Sequence, residues 1–205
     1  MIAAGWSWAL LLGWLSVLLF LRTYRIWLPY YVLGSVGLAY WMVLAGRAWF
    51  GLDRWMAVLV AVTTQRLADL LAIPTQTFAQ APGTLLVMVI SQEIGWTALQ
   101  VGVESSGLLE LSVLTALLAL YPGWSWRERG VLILGCAVLL IAANILRVLI
   151  IVALLHYLGK EALLLAHTII GKVVFFGLTL AIYWLAITAP TLRQLGRRFR
   201  QARAL

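Results

Sequence analysis

Residues 131–155 read VLILGCAVLLIAANILRVLIIVALL, an apolar run interrupted only by Asn144 and Arg147 among strongly polar side chains. A run of this length exceeds the roughly 20 residues that cross a hydrocarbon core of about 30 Å. It predicts a membrane-spanning helix, because a backbone in lipid must satisfy its own N–H and C=O groups. Asn144 and Arg147 are separated by one helical turn and share a face. An arginine within a span needs a partner or a water-filled pocket, so that face points to a site.

Composition places the whole chain in the same class. With 64% hydrophobic and 11% charged residues among 205, and a mean hydropathy of +1.00, a soluble fold would expose far more apolar area than water tolerates. In a soluble chain the net charge of +8 would suggest nucleic acid. Here the basic residues gather at the ends of apolar runs and in the tail from Arg193 to Arg203, the pattern of membrane topology signals, and no nucleic-acid partner is implied. Cys136 is the one cysteine, so no intrachain disulfide can form.

Working outward from 131–155, five further apolar runs lie at 2–21, 26–45, 55–73, 108–121 and 167–187. The expectation is an all-α, six-span integral membrane protein forming one domain. Residues 1–73 supply N-terminal helices, 74–106 an extracytoplasmic segment, 105–187 the helices that carry the site, and 188–205 a basic cytoplasmic tail. The run at 55–73 fits least well, since it holds Gln65, Arg66 and Asp69, and the run at 108–121 is short. The first run lacks the basic start and the small-residue cleavage site of a signal peptide. Within 74–106, the stretches 84–91 and 96–103 are apolar and partly β-branched around Gln92-Glu93-Ile94-Gly95, which reads as a β-hairpin. Such a hairpin offers an edge for strand addition by an extended peptide; its plainer role is a cap on the outer leaflet.

The arginine distribution sets an orientation. Both termini in the cytoplasm would put Arg47, Arg54, Arg127, Arg129 and the arginines of the tail inside, with Arg22, Arg25 and Lys160 outside. Trp27, Trp49, Trp55, Trp124, Trp126 and Trp184 fall near run ends, as interfacial anchors do.

Three fragments then reach one depth. Glu104-Ser105-Ser106-Gly107 would begin the fourth span at its outer end, and Arg147 would lie roughly 24 Å above Val131 at about 1.5 Å per residue. His167, within Ala166-His167-Thr168-Ile169-Ile170-Gly171-Lys172, would begin the sixth span from outside. A nucleophile at a helix N-terminus, a proton-accepting imidazole and a fixed guanidinium are the parts of acyl transfer. No carboxylate stands beside His167 in sequence to orient it, and a cysteine would suit the nucleophile's place better than Ser105, because a thiolate is reachable there. No cluster has metal-ligand spacing, so neither metal nor organic cofactor is implied.

Taken as an ordered set, these fragments resemble the exosortases and archaeosortases, multi-pass transpeptidases with a Cys, Arg and His triad. Members carry Cys-(Ser/Thr)-Gly at the outer start of one helix, Asn-x-x-Arg-(Val/Ile) in the next, and a His near the start of another. Ser105-Ser106-Gly107, Asn144-x-x-Arg147-Val148 and His167 through Gly171 match in order and spacing over about the last half of the chain. Glu104 and Glu110, bracketing the first element, look most like the smaller, Gram-positive type. The resemblance implies Ser105, Arg147 and His167 as the catalytic set, supported by Asn144, Glu104, Ser106 and Gly107. It implies cleavage of the C-terminal sorting signal of secreted proteins at the outer face of the plasma membrane, through an acyl-enzyme passed to an acceptor. The partners would be that sorting peptide or its transmembrane tail, and membrane lipid.

Ser105 departs from the family's cysteine. The favoured reading is a Cys-to-Ser form that holds substrate without turning it over; the others are a natural serine variant and a degenerate relative that only binds.

Other classes compete with this reading. A rhomboid-like intramembrane serine protease would need a Gly two residues before the serine, which is absent here. A transporter or membrane chaperone would use Arg66, Asp69, Glu110 and Arg147 as pathway groups, yet no inverted repeat is visible. Arg147 could pair with Glu110 as a structural cation, Arg66 with Asp69, and Lys172 could snorkel outward. His156 reads as a loop residue and Cys136 as a small hydrophobe on a lipid-facing helix.

Overall fold

The computed structural model describes residues 2–78, 86–91, 96–121 and 124–192. All six apolar runs fold as helix: α1 Ile2–Thr23, α2 Trp27–Phe50, α3 Leu52–Leu70, α5 Leu108–Leu120, α6 Trp126–Leu158 and α7 Gly171–Tyr183, with a single-turn α4 at Val103–Ser106 before α5. A 3₁₀ turn, Lys160–Ala162, and a π-helix, Leu164–Ile170, lead into α7, and a second π-helix, Trp184–Thr188, follows it. Local chemistry fixes the joints. Gly51 takes φ 56 between α2 and α3, and Ser125 with Glu128 closes a capping box at the start of α6. Among the described residues, three helical stretches are long and apolar enough to cross a membrane: Trp27–Phe50, Trp126–Leu158 and Lys160–Leu192.

The hairpin expected between 84 and 103 forms as β2 Leu86–Ser91 paired antiparallel with β3 Trp96–Val101, with Met88 opposite Leu99; its turn lies outside the described residues. The sequence reading missed β1, Thr75–Phe78, which pairs antiparallel with β2 to give the order β1-β2-β3. Along β3 burial alternates, with Thr97, Leu99 and Val101 inward and Trp96, Ala98 and Gln100 outward, as a half-buried strand requires.

Two apolar cores are stacked along α6. The lower joins Leu114 and Leu118 of α5, Cys136, Leu140 and Ala143 of α6, and Phe175, Ile182 and Ala186 of the last helix. The upper joins Ala57, Val60, Ala61 and Ala68 of α3 with Met88, Ile90, Leu99 and Val101 of the sheet and with Val148, Ile151, Val152 and Leu155 of α6. Thus α3, expected as a third span, packs its buried face on the sheet and on the upper half of α6. Arg66 and Asp69 lie on the exposed face of α3, away from the apolar stripe that covers the sheet and α6. Among the described residues Arg66 and Asp69 form no ion pair, and Asp53 of α3 pairs with Arg47, 3.2 Å.

With α3 in the upper layer, the order of chain ends changes. Tyr31 at the start of α2 donates to the Leu117 carbonyl, 3.2 Å, and meets Tyr121 edge-on at 6.1 Å. A cleft of about 410 Å³ is lined by Arg22, Trp27, Ala119, Trp126 and Arg129. The α1–α2 turn and the α5–α6 turn therefore sit at the same end of the bundle. The orientation read from the arginines had put Arg22 and Arg25 at the end opposite Arg127 and Arg129. Tyr121 also contacts Thr191, which brings the end of the last helix to this lower end, while α1, antiparallel to α2 through the Trp14–Leu33 hydrogen bond of 3.0 Å, starts at the other.

Candidate functional site

The strand β3 delivers the chain to α4, whose turn begins at Gly102 and is closed by the Ser105 N–H donating to the Gly102 carbonyl, 3.1 Å. Gly107 then takes φ +80, and α5 starts only at Leu108. The expectation that Ser105 or Ser106 opens the fourth span is corrected by this break. A Cβ at position 107 would strain the left-handed backbone and stand 3.2 Å from Asn144 Nδ2, so glycine is required by both conformation and space. Ser106 assumes the capping duty: its Oγ accepts from the Leu108 N–H at 3.2 Å, satisfying one free donor of α5. Ser105, one residue earlier, is buried at 8% exposure, and its hydroxyl makes no hydrogen bond among the described residues.

Asn144 and Arg147 hold the opposite wall, at the boundary between the two cores: Ala143 belongs to the lower and Val148 to the upper. Both are buried, at 1% and 6% exposure. Asn144 Nδ2 donates to the Ser105 carbonyl, 2.8 Å, which ties α6 to the α4–Gly107 turn across the sequence. Its Oδ1 is buried without a hydrogen-bond partner among the described residues. One turn on, the Arg147 guanidinium lies over the Phe175 ring, 5.2 Å from its centroid. A desolvated cation–π contact of this kind contributes about 2 kcal/mol. Glu104 lies in α4, with its side chain outside the described residues.

His167 occupies a different level. Arg147 faces Phe175, and a Cβ on Gly171 would meet Ile151 Cδ1 at 2.7 Å, so the antiparallel register of α6 and the last helix sets His167 level with about Leu155. That is eight residues, or about 12 Å of helix axis, above Arg147. The π-helix around His167, a wide turn often found at functional positions, directs it to a cleft of about 450 Å³ against β3. The structure therefore brings Ser105, Ser106, Gly107 and Asn144 into one joint with Arg147 on the next turn. His167 stands farther toward the sheet.

The remaining polar and sulfur-bearing residues fall elsewhere. Cys136 is buried in the lower core, on a helix face packed against protein, eleven residues and about 16 Å below Arg147. His156, expected in a loop, lies in the last turn of α6 beside Tyr157, ring centroids 5.0 Å apart. Lys172 is exposed. Among the described residues no three His, Cys, Asp or Glu side chains gather to hold a metal. Phe175 escaped the sequence reading; its spacing from His167, two helical turns, was the available signal.

No known protein family, curated protein or solved structure matches the chain.

Chemically, the joint offers a backbone turn that bears a hydroxyl, tied through Asn144 to a helix that carries a buried guanidinium one turn on. A guanidinium so placed can stabilise an oxyanion that develops beside residue 105.

Proposed function

We propose that the chain is an exosortase-like membrane transpeptidase whose nucleophile position is filled by Ser105, so that it holds a peptide and turns it over slowly or not at all. The observation that carries this reading is the Asn144–Ser105 hydrogen bond, 2.8 Å, with Arg147 one turn beyond it. It draws together two of the three fragments on which the family resemblance rests.

In membrane terms, the helices α1, α2, α5, α6 and the last helix cross the bilayer, and α3 with the sheet stands outside as a cap. The end carrying Arg22, Arg25, Arg127, Arg129 and the arginine-rich tail is cytoplasmic by the positive-inside rule. The site then opens on the extracytoplasmic face. This five-span arrangement puts the start of α1 outside and the tail inside.

The substrate's transmembrane tail lies beside the lower bundle and its cleavage segment crosses the joint. The nucleophile at 105 bonds to the substrate carbonyl carbon, with the carbonyl oxygen becoming an oxyanion that Arg147 stabilises. Collapse of that intermediate breaks the C–N bond, and the leaving amine takes the proton that the nucleophile gave up. His167, on the sheet side, takes the proton of the incoming acceptor amine as that amine displaces residue 105. A thiol at 105 could ionise without a base in contact; the serine hydroxyl, with no hydrogen-bonded base, is a poor nucleophile.

The test is a Ser105→Cys protein co-expressed with a reporter ending in a randomised segment, a transmembrane helix and a basic tip. Thiol-dependent cleavage by Ser105→Cys, absent from the unsubstituted chain and from Ser105→Cys/Arg147→Lys, is expected. A folded Ser105→Cys protein that cleaves no member of the library overturns the reading.

A further inference from the structure

The lower end of the bundle collects cations without matching anions. Arg22 and Arg25 come to it from the α1–α2 turn, and Arg127 and Arg129 from the first turn of α6. Glu128 is the one acidic side chain that the described residues place at this end, and its carboxylate is already engaged. It accepts from the Ser125 N–H at 2.7 Å and from the Ser125 hydroxyl at 2.8 Å. None of the four arginines forms an ion pair among the described residues, and the tail sequence, 193–205, adds arginines and no Asp or Glu.

Positive-inside bias accounts for arginines that stand in water. Arg129 is instead half-buried and folded back onto the protein. Its Nη1 donates to the Ala119 carbonyl at the end of α5, 2.7 Å, and its guanidinium lies over the Trp126 ring, 5.1 Å from the centroid. These contacts fix the charge in place without neutralising it, and a cation partly withdrawn from water with no counter-ion is costly. Arg22 lines the same cleft, which encloses about 410 Å³, and no carboxylate lines it. Ala119 and Leu120 give it an apolar wall, and the exposed rings of Trp27 and Trp126 complete the lining. Tryptophans so exposed at the end of a membrane bundle sit at the depth of lipid headgroups.

We infer that this cleft binds the headgroup of an anionic phospholipid, with the phosphate at Arg22 and Arg129 and the first carbons of the chains against Ala119, Leu120 and the tryptophan rings. Guanidinium groups match a phosphate in charge and in hydrogen-bonding geometry. The apolar wall distinguishes the occupant from a free phosphate, which would leave that wall and the rings uncovered; a lipid covers both. Phosphatidylcholine brings a cation of its own to a cleft that already holds two, so the site selects for net negative charge. Lipid binding here is independent of acyl transfer at Ser105; the two share only the assignment of this end to the cytoplasmic leaflet.

The full chain, purified in dodecyl maltoside and stripped of copurified lipid, is titrated with dioleoyl phosphatidylglycerol and, separately, with dioleoyl phosphatidylcholine, and bound lipid is counted by native mass spectrometry. Each arginine beside an anionic headgroup strengthens binding about fivefold, so one phosphatidylglycerol should bind about 25-fold more tightly than phosphatidylcholine. Arg22→Gln and Arg129→Gln should each lower that preference about fivefold. Arg66→Gln, which removes the same charge from the exposed face of α3, should leave it unchanged. Arg22 is exposed, so its replacement reads the site even if Arg129→Gln, which also loses the Ala119 hydrogen bond, fails to fold. Equal binding of the two lipids, or a preference no lower in Arg22→Gln than in Arg66→Gln, overturns the inference. Displacement of phosphatidylglycerol by an equimolar amount of glycerol phosphate identifies a free phosphate ester as the ligand and overturns it as well. Selective phosphatidylglycerol binding by a Ser105→Cys protein that cleaves no reporter leaves the lipid site standing and removes the transpeptidase reading alone.

Discussion

Replacing Gly107 with alanine should separate the site's geometry from its sequence. Two costs follow from the structure. An L-residue at φ +80 loses roughly 1–2 kcal/mol in the left-handed region. The added Cβ, 3.2 Å from Asn144 Nδ2, also pushes the amide off the Ser105 carbonyl, and a buried donor left unsatisfied costs about 1–3 kcal/mol. The total is about 2–5 kcal/mol, or roughly 4–20 °C in thermal midpoint for a chain of this size. Gly102→Ala is the internal control, because nothing lies within 4 Å of its Cβ position and its φ of −95 suits any residue. Thermal unfolding of both proteins in the same detergent, followed by tryptophan fluorescence, gives the comparison. In an Asn144→Ala background the hydrogen-bond part is already gone, so Gly107→Ala should then cost only the backbone share. If Gly107→Ala matches Gly102→Ala, or if its cost is unchanged by Asn144→Ala, the joint between α4 and α6 is not built as described.

The bundle order makes a topological prediction: cysteines introduced at Tyr24 and Ser125, in a Cys136→Ala background, should be labelled from the same side of the membrane, and a cysteine at Gln76 from the other. Labelling of Tyr24 and Ser125 from opposite sides would restore the six-span order. With Ser105→Cys as parent, Arg147→Lys should lower turnover by about 100- to 1,000-fold, since a point charge cannot replace the planar fork at an oxyanion; parental rates would remove Arg147 from the mechanism. His167→Ala should slow transfer to an added amine by roughly 100-fold while sparing release of the first product in a single-turnover burst, and equal loss in both phases would return His167 to the first step. Buried Cys136 should resist alkylation by a bulky maleimide in the folded unsubstituted chain and react on unfolding; rapid labelling of the native protein would contradict its place in the lower core.

Much of this was legible because lipid and periodicity leave few choices. The run around Asn144 and Arg147 could only be a helix, and one-turn spacing set both side chains on one face. The hairpin was readable from β-branched alternation and the polar turn at Gln92-Glu93. What the sequence could not show was which helices share a layer. Residues 55–73 look like a poor span because they hold Gln65, Arg66 and Asp69, but these are polar residues of an amphipathic helix whose buried face, Ala57, Val60, Ala61 and Ala68, needs the sheet and upper α6 to cover it. β1 is four residues long and has no apolar alternation, so it exists only because β2 and Gln65 receive it.

The depth of the histidine was illegible for a related reason. Counting residues from run boundaries assumes that every helix starts at the membrane surface, and α6 does not end there: its upper half, from Val148 onward, belongs to the cap core. The helix that follows therefore enters the bundle only after descending past the sheet, and His167 is met before Phe175 reaches Arg147. His167, on the π-helix that precedes α7, faces the cleft beside Ala98, Leu99 and Gln100, whereas Arg147, on α6, lies over the Phe175 ring.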